Sequence, residues 1–511
     1  MRRVLALLAA CALTTFGGLF ASADGARATA DPNAKIAPAL AAQAALSRPD
    51  DELHVIVQGP GAADAVAAHG KAGKRLSFVD GIAATVRPGE LQRLAARPGV
   101  SLVAPDAPVE FAGSGSVSAS NLATIYPGRD AAPNPWGAGV TGRGVGIAII
   151  DSGVTPSAAF GTRLVQVRLD GQAGSLDDTV GHGTIVAGVA AGYSSDGRFI
   201  GIAPGATVYA LNINRDTGVR TSDVITALKW VFDNAHAYNI RVVNLSLTET
   251  LTGSYKDAPL DLAVERLWAS GVFVVVAAGN RGPGQIDYAP ANDPLVFTTG
   301  AFDVMDTTGP GDDTLSTWSS SGTTVNGFAK PDLVAPGRHI AGPLPAGTTY
   351  DLLAPAANRV ASGYVTINGT SFAAPQVAGA AAIIFQAHPE YSPDNVKWAL
   401  LAKQGAKPKN SSVGSLDLGA SYNLSGTPGR ANQGVPALVC APGTTCLTGS
   451  TIASNWDSSS WSSSSWSSSS WSSSSWSATA DWLSSSWSSS SWSSSSWSST
   501  SWSAATFNLW G

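Results

Sequence analysis

The chain has 511 residues, only 13% of them charged, and a formal net charge of −5 at pH 7. This weak, slightly acidic balance provides no basic field that could hold nucleic acid or an anionic membrane surface, so neither partner is expected. Because single hydrophobic cores stop growing at about 250 to 300 residues, the length predicts two or three separate parts.

The N-terminus has the layout of a secretory signal. Arg2 and Arg3 precede an apolar run from Val4 to Phe20, and small residues follow as far as Ala28. This pattern predicts a signal peptide over residues 1–28 and a secreted, extracellular mature protein. A short membrane anchor is the alternative, because the apolar run is about 17 residues long.

A small α+β unit is predicted over residues 50–111. Runs rich in β-branched residues alternate with short helical patterns, in the order strand (LHVIVQ), helix (AADAVAAHG), strands (LSFVDGIAATV), helix (GELQRLAARPG) and strand (SLVAPDAPVEF). A domain of this size is marginally stable by itself. The Gly/Ser-rich stretch that follows, residues 112–120, has a composition that stays flexible and is easily cut.

Residues 122–425 are predicted to form a larger α/β domain. Several of its strand patterns are continuous runs of Val, Ile and Ala, as expected when helices cover both faces of a mostly parallel sheet. Ligands bind such sheets at the carboxyl ends of the strands. Asp151 and Asn280 each stand at the end of one of these runs.

Residues 450–511 form a low-complexity tail. Tryptophans recur every five residues from Trp456 to Trp476 and again from Trp482 to Trp502, with serine filling nearly all positions between. A period of five matches neither a helix nor a strand, which predicts a disordered tail. Its rings could contact glycans or a cell wall, or it could be a spacer. Before it, Cys440 and Cys446 could form a local disulfide in an exported protein.

Four motifs carry the parts needed for peptide hydrolysis by a serine nucleophile. These parts are a hydroxyl, a base, a carboxylate to orient the base, and a donor for the developing oxyanion. The candidates are Ser371 in NGTSFAAPQVAG, His182 in GHGTIVAG, Asp151 in IIDSGV and Asn280 in VVAAGNRG. Pro375 suits a helix first turn, which would place Ser371 at a helix N-terminus whose N–H groups could meet an oxyanion.

Each candidate also has a purely structural interpretation. Asp151 could cap a strand end, His182 could be a satisfied core histidine, Asn280 could be a turn residue, and Ser371 could be a helix N-cap. The four motifs together are harder to explain in this way than any one of them.

The order Asp, His, Ser and the four motifs resemble the subtilisin-like serine protease family. The resemblance covers about residues 50–404 and includes KPDLVAPG, residues 330–337. It implies a catalytic triad in which Ser371 is the nucleophile, His182 the general base and acid, and Asp151 the group that fixes the imidazole. Asn280 would donate to the oxyanion. Protein or peptide substrates and a serine-type endopeptidase activity follow, with no organic cofactor.

The unit over residues 50–111 resembles the inhibitory propeptide of that family, including GIAATV. The resemblance implies a zymogen whose propeptide aids folding, inhibits the enzyme and is then removed, with cleavage between about Phe111 and Asn121. Its last strand could lie along the substrate cleft by strand addition. A small domain retained in the mature protein is the alternative.

The substrate pocket departs from the family pattern. The segment Ser246, Leu247, Thr248 normally continues from Ser-Leu into glycine, and Thr248 stands in the place of that glycine. A larger residue there predicts a narrower pocket or a restricted substrate backbone. Arg281 adds positive charge beside it, which predicts tolerance of acidic or polar side chains before the scissile bond, unless Arg281 is simply solvated.

Three further expectations complete the prediction. No metal ligand is assigned, because the loop YSSDGRFIGIAP, residues 193–204, is poor in carboxylate and amide oxygens; structural calcium rests on the family resemblance only. One competing function is surface attachment through the Trp/Ser tail, with a protease domain limited to maturation. The other is a narrow processing protease for one partner, supported only by Thr248 and Arg281.

Overall fold

A computed structural model describes residues 32–112, 125–305, 307, 309–439 and 450–451. The predicted signal peptide, Cys440, Cys446 and nearly all of the Trp/Ser tail lie outside the described residues. The expectations for them stay predictions.

Residues 32–105 form an N-terminal module around a four-stranded antiparallel sheet with strand order β2-β3-β1-β4. Apolar side chains such as Val55, Val66 and Leu94 are fully buried between the sheet and the helices. The elements are α1 (Pro38–Leu46), β1 (Leu53–Gln58), α2 (Ala62–His69), β2 (Lys71–Leu76), β3 (Gly81–Val86), α3 (Leu91–Ala95) and β4 (Leu102–Pro105).

The end of this module differs from the predicted single strand over SLVAPDAPVEF. The chain leaves the sheet after β4 and continues as a separate strand, β5 (Val109–Phe111), which pairs outside the module. The prediction of a single strand was wrong because Asp106, between β4 and β5, is bound to the larger part instead of continuing the sheet. Its carboxylate accepts hydrogen bonds from the backbone N–H and the hydroxyl of Ser222, each 2.9 Å long.

The larger part of the chain forms an eight-stranded sheet, which confirms the predicted α/β class. Its order is β13-β12-β11-β9-β6-β8-β7, with β16 paired to β12, and every pairing except β12–β13 is parallel. Every residue of β6, β9, β11 and β12 is buried. A strand that is buried along its whole length has both faces covered, as the continuous apolar runs predict.

The elements of this part follow in chain order. They are α4 (Tyr126–Arg129), α5 (Pro133–Gly137), β6 (Gly146–Asp151), β7 (Leu164–Val167), α6 (His182–Ala191), β8 (Thr207–Asn212), α7 (Thr221–Asn234), β9 (Ile240–Leu245), β10 (Leu247–Glu249), α8 (Pro259–Ala269), β11 (Phe273–Ala277), β12 (Phe297–Asp303), β13 (Thr314–Leu315), β14 (Gly322–Thr323), β15 (Ala329–Lys330), β16 (Leu333–Pro336), β17 (Ile340–Pro343), α9 (Thr349–Leu353), β18 (Arg359–Ala361), β19 (Tyr364–Ile367), α10 (Thr370–Ala387), α11 (Pro393–Ala402), α12 (Leu418–Ser421), β20 (Pro436–Ala437) and β21 (Ser450–Thr451).

The N-terminal module rests on helices α7 and α8 of the larger part. The rings of Phe78 and Phe232 lie 4.8 Å apart across this contact. Arg266 donates to the carboxylate of Asp80 at 2.7 Å and to the carbonyl of Phe78. The contact fixes the module against the larger part, and the chain continues from the module into β5, which pairs with β10.

Within the part of the chain that the structure describes, helices long and apolar enough to cross a membrane are absent.

Candidate active site

Asp151 and His182 are brought together by the sheet and the helix that follows it. Asp151 ends β6, and His182 begins α6. The Nδ1 of His182 lies 2.7 Å from Oδ1 of Asp151, and both side chains are completely buried. Because the carboxylate accepts the Nδ1 proton, Nε2 is left as the basic nitrogen of the ring. That Nε2 is buried and has no hydrogen-bond partner.

A second buried carboxylate, Asp178, holds the two segments in register. It accepts from the hydroxyl of Ser152 at 2.8 Å, and from the backbone N–H and hydroxyl of Thr184 at 2.8 and 2.7 Å. The N–H groups of Val180 and Gly181 also point to it. Burial raises the pKa of Asp178 to about 6, although these hydrogen bonds oppose the rise. Asp178 was not predicted from the sequence, where its position four residues before His182 is the one feature that relates it to the site.

Ser371 is the second residue of α10, so its backbone N–H is one of the free donors at a helix start. Pro375 is the sixth residue of this helix, and the expectation that it lies in the first turn is wrong. Pro375 has no N–H for the carbonyl of Ser371, four residues earlier. That carbonyl instead accepts from the hydroxyl of Ser246 at 2.8 Å, which ties the helix start to the end of β9.

A peptide carbonyl occupies the position expected for an oxyanion. The carbonyl oxygen of Ala112 accepts from Nδ2 of Asn280 at 2.8 Å and from the backbone N–H of Ser371 at 3.3 Å. The amide of Asn280 is oriented by Thr370, whose N–H and hydroxyl donate to its Oδ1 at 3.1 and 3.0 Å. Two donors therefore converge on one carbonyl beside the hydroxyl of Ser371.

The segment that carries Ala112 lies in a groove between strand β10 and the loop that precedes α7. Strand β5 pairs antiparallel with β10, with Leu247 opposite Phe111 and Thr248 opposite Glu110. The N–H of Ala112 donates to the carbonyl of Ser246 at 3.1 Å. On the other side, the N–H of Val109 donates to the carbonyl of Val219 at 3.0 Å. This is strand addition, in which backbone hydrogen bonds hold an extended peptide.

Aromatic rings close around His182. The ring of Phe111 stacks on the imidazole with centroids 5.1 Å apart, and Phe372 and Tyr350 lie at 5.3 and 5.9 Å. The hydroxyl of Ser371 donates to the carbonyl of Ser246 at 3.1 Å. With the docked segment in place, this hydroxyl is directed at a backbone carbonyl while the imidazole is shielded from water.

The structure places the remaining predicted pocket residues along the docked segment. Thr248 is buried in β10 and pairs with Glu110. Glu110 precedes Ala112, whose carbonyl lies in the oxyanion position, by two residues. Nη2 of Arg281 donates to Oε1 of Glu110 at 2.8 Å. Sequence analysis missed Tyr288, whose buried ring lies 4.2 Å from the guanidinium of Arg281 and fills the space beneath Gly279.

Two acidic side chains are buried where the docked segment meets the larger part. Burial raises the pKa of Glu249 to about 7. The hydroxyl of Thr221, which donates to the Glu249 carboxylate at 2.6 Å, lowers this pKa, whereas the negative charge of Asp106 raises it further. Burial also raises the pKa of the Asp106 carboxyl. Burial therefore makes both groups easier to protonate than an exposed carboxyl group.

The loop over residues 193–204 does not fit a calcium ion. The carboxylate of Asp196 is already paired with Nε of Arg198 at 2.6 Å and accepts from the hydroxyl of Ser194 at 2.7 Å. Calcium needs several oxygen ligands that are free to converge. Elsewhere among the described residues, no group of three or more His, Cys, Asp or Glu side chains is arranged to hold a metal ion.

Comparison with known proteins defines the class. The model of the subtilase family matches residues 142–419, more than half of the chain. The chain belongs to the subtilase family, and the predicted membership is confirmed.

Individual relatives agree with this assignment. The serine protease AprX of Bacillus subtilis (strain 168) is 36% identical over 272 residues, which cover 50% of this chain and 60% of AprX. Subtilisin E of the same organism is 30% identical over 335 residues, or 64% of this chain and 76% of subtilisin E. Fervidolysin from Fervidobacterium pennivorans, a keratinolytic enzyme related to subtilisin, shares the fold. Its crystal structure gives a TM-score of 0.59 at 21% identity, covering 74% of this chain and 62% of fervidolysin.

Proposed function

We propose that this protein is a secreted serine endopeptidase that hydrolyses peptide bonds in proteins, and that it is made as a zymogen which cuts its own chain. The proposal rests on one observation above all. The carbonyl oxygen of Ala112 accepts from Asn280 and from the N–H of Ser371, beside the buried Asp151–His182 pair. A peptide group is thus held where attack by the Ser371 hydroxyl would generate an oxyanion.

In the acylation step, Oγ of Ser371 attacks the carbonyl carbon and Nε2 of His182 takes its proton. The carboxylate of Asp151 orients the imidazole and stabilises the imidazolium that forms. Negative charge develops on the carbonyl oxygen and is met by Asn280 and the N–H of Ser371. His182 then gives the proton to the leaving amine, and the C–N bond breaks to leave an acyl-enzyme.

Deacylation repeats these roles with water as the nucleophile. His182 takes a proton from the water, which attacks the ester carbonyl, and the same two donors meet the second oxyanion. The proton then passes from His182 to Oγ of Ser371 as the ester bond breaks. The enzyme is regenerated without an organic cofactor.

We propose that the N-terminal module and the segment that follows it, residues 32–112 together, form the inhibitory propeptide and that the bond between Ala112 and Gly113 is the one cut. This bond follows the carbonyl held by Asn280 and Ser371, and it lies within the interval predicted from sequence. After cleavage, β5 would remain paired with β10 as a product-like inhibitor. While it stays there, β5 would block the groove to other peptides.

The intact mass of the secreted protein tests this proposal. The wild type is expected to lose residues up to Ala112, leaving Gly113 as the new N-terminus, whereas Ser371→Ala retains the module. Ser421→Ala is a matched control, because this buried serine of α12 bonds only to the backbone of Asp417. It should process like the wild type.

Other results would point to other functions. If the wild type and Ser371→Ala both keep the module, or both lose it, self-cleavage by Ser371 is refuted, and surface attachment through the Trp/Ser tail becomes the function to pursue. A wild type that processes itself but leaves casein intact would instead be a narrow processing protease.

A further inference from the structure

The structure gives the substrate cleft a fixed positive charge at one position. Counting back from the carbonyl in the oxyanion position, Ala112 is the first residue of the docked segment and Glu110 is the third. Nη2 of Arg281 lies 2.8 Å from Oε1 of Glu110, in a pair whose side chains are 26% and 39% exposed. The cleft residue and the docked residue meet where neither is fully solvated.

Arg281 is held by the larger part of the chain and does not depend on Glu110 for its position. Its guanidinium lies 4.2 Å from the centre of the Tyr288 ring, and Nη2 also donates to the carbonyl of Glu249 at 2.8 Å. Its backbone N–H donates to the hydroxyl of Ser320 at 3.0 Å. These contacts remain when the docked segment leaves, so the positive charge is already in place for an incoming substrate.

The backbone pairing places the third residue before the scissile bond of any bound peptide beside Arg281. The pairing of β5 with β10 places Thr248 opposite Glu110, and the N–H of Ala112 bonds to Ser246. A substrate bound by the same backbone hydrogen bonds has its third residue fixed opposite Thr248 and within reach of Arg281.

We propose that Arg281 is a specificity-determining residue that selects protein substrates with a carboxylate on the third residue before the scissile bond. This inference rests on the proposed endopeptidase function. A partly exposed ion pair of this kind gives roughly a two- to fivefold preference, because solvent screens part of the attraction. The preference should fall as salt rises.

The test uses the secreted, processed enzyme and three peptide anilides, Val-Glu-Phe-Ala, Val-Gln-Phe-Ala and Val-Lys-Phe-Ala. The wild type should cleave the Glu peptide with a kcat/KM about two- to fivefold above that of the Gln peptide and further above that of the Lys peptide. Raising NaCl from 0.1 to 0.5 M should reduce this ratio. In Arg281→Gln the ratio of Glu to Gln should approach one, and in Arg281→Glu the Lys peptide should be preferred.

Arg266→Gln is the control, because Arg266 also contacts the N-terminal module, at Asp80, but lies outside the cleft. It should keep the wild-type ratio. Equal kcat/KM for the three peptides in the wild type would overturn the inference even if neither Arg281 variant matures, and it would leave the endopeptidase proposal intact. Failure to cleave its own chain, casein and all three peptides would instead refute the endopeptidase function itself.

Discussion

At the scale of single residues, Asp178 joins the two segments that carry Asp151 and His182. Its carboxylate accepts five hydrogen bonds, from Ser152, Val180, Gly181 and twice from Thr184. Removing a buried acceptor leaves its donors unsatisfied, which costs far more than the net gain of making one hydrogen bond.

Asp178→Ala is therefore expected to destabilise the protein by about 3 kcal/mol and to lower kcat/KM about tenfold or more. Asp177→Ala is the matched control, because the neighbouring carboxylate is only partly buried and its side chain accepts from Gln166 alone. Thermal unfolding in the Ser371→Ala background and peptide hydrolysis in the active enzyme measure the two effects. Equal losses in both variants would show that Asp178 has no special positioning role.

The residues of the candidate site that stand in short local sequence motifs could be predicted from the sequence. Asp151, His182, Asn280 and Ser371 each stand in a short string with glycine neighbours, and the structure brings all four together. Asp178 and Tyr288 could not be found in this way. Their roles depend on contacts with segments far along the chain, such as that of Tyr288 with Arg281, which no local pattern encodes.

At the scale of elements, helices α6 and α10 cross closely because small residues line their contact. A Cβ added to Gly379 of α10 would lie 2.6 Å from Cβ of Ile202 and 2.9 Å from the carbonyl oxygen of Ala190. In a close-packed interior, moving either the Ala190 backbone or the branched side chain of Ile202 costs free energy. These helices present His182 and Ser371, so their spacing sets the distance between the proposed base and the proposed nucleophile.

Gly379→Ala is expected to destabilise the protein by about 2 kcal/mol, since overpacking a core typically costs that much. Gly128→Ala in α4 is the control, because a Cβ there meets nothing within 4 Å. Alanine suits a helix better than glycine, so this control should be neutral or slightly stabilising. Thermal unfolding in the Ser371→Ala background compares them. An unchanged melting temperature for Gly379→Ala would mean that the two helices can move apart freely.

Elements differ in how well sequence predicts them. The apolar runs of β6, β9 and β11 predict buried parallel strands, because such runs need cover on both faces. The run SLVAPDAPVEF was predicted as one strand, but Pro105, Asp106 and Pro108 are residue types that strands disfavour, and the structure divides the run there between two sheets. The anchoring of Asp106 by Ser222 is a tertiary contact that no local pattern encodes, and it fixes where the chain leaves the first sheet.

At the scale of the whole molecule, docking of the N-terminal module depends on pH through Glu249. Its pKa is about 7 while the segment is docked, and it should fall toward the ordinary value of about 4.3 when the segment leaves, because burial and the charge of Asp106 are both lost. The docked state therefore binds the proton more tightly. Its advantage is complete at low pH and is lost as pH rises through about 7.

The processed complex is expected to release the module about fourfold more readily at pH 8 than at pH 6.5, measured as recovery of activity after dilution. Burial lowers the pKa of His54, so its titration favours docking at higher pH, the opposite of Glu249. Because that titration lies below the ordinary histidine pKa of about 6.5, the comparison starts at pH 6.5. Glu249→Gln cannot titrate and should give a flatter pH dependence. Identical pH dependence in the variant would exclude Glu249 as the responsible group.

The docking of residues 109–112 has a consequence for how such a protein can change over generations. In the proposed zymogen, the same groove would hold the chain's own segment and incoming foreign peptides, so a mutation that alters what the groove accepts would also alter how the precursor matures. A reversal of charge at Arg281 would repel Glu110 and would persist only with a matching change in the segment. Laboratory evolution of new selectivity should therefore vary residues 109–112 and the groove as one unit.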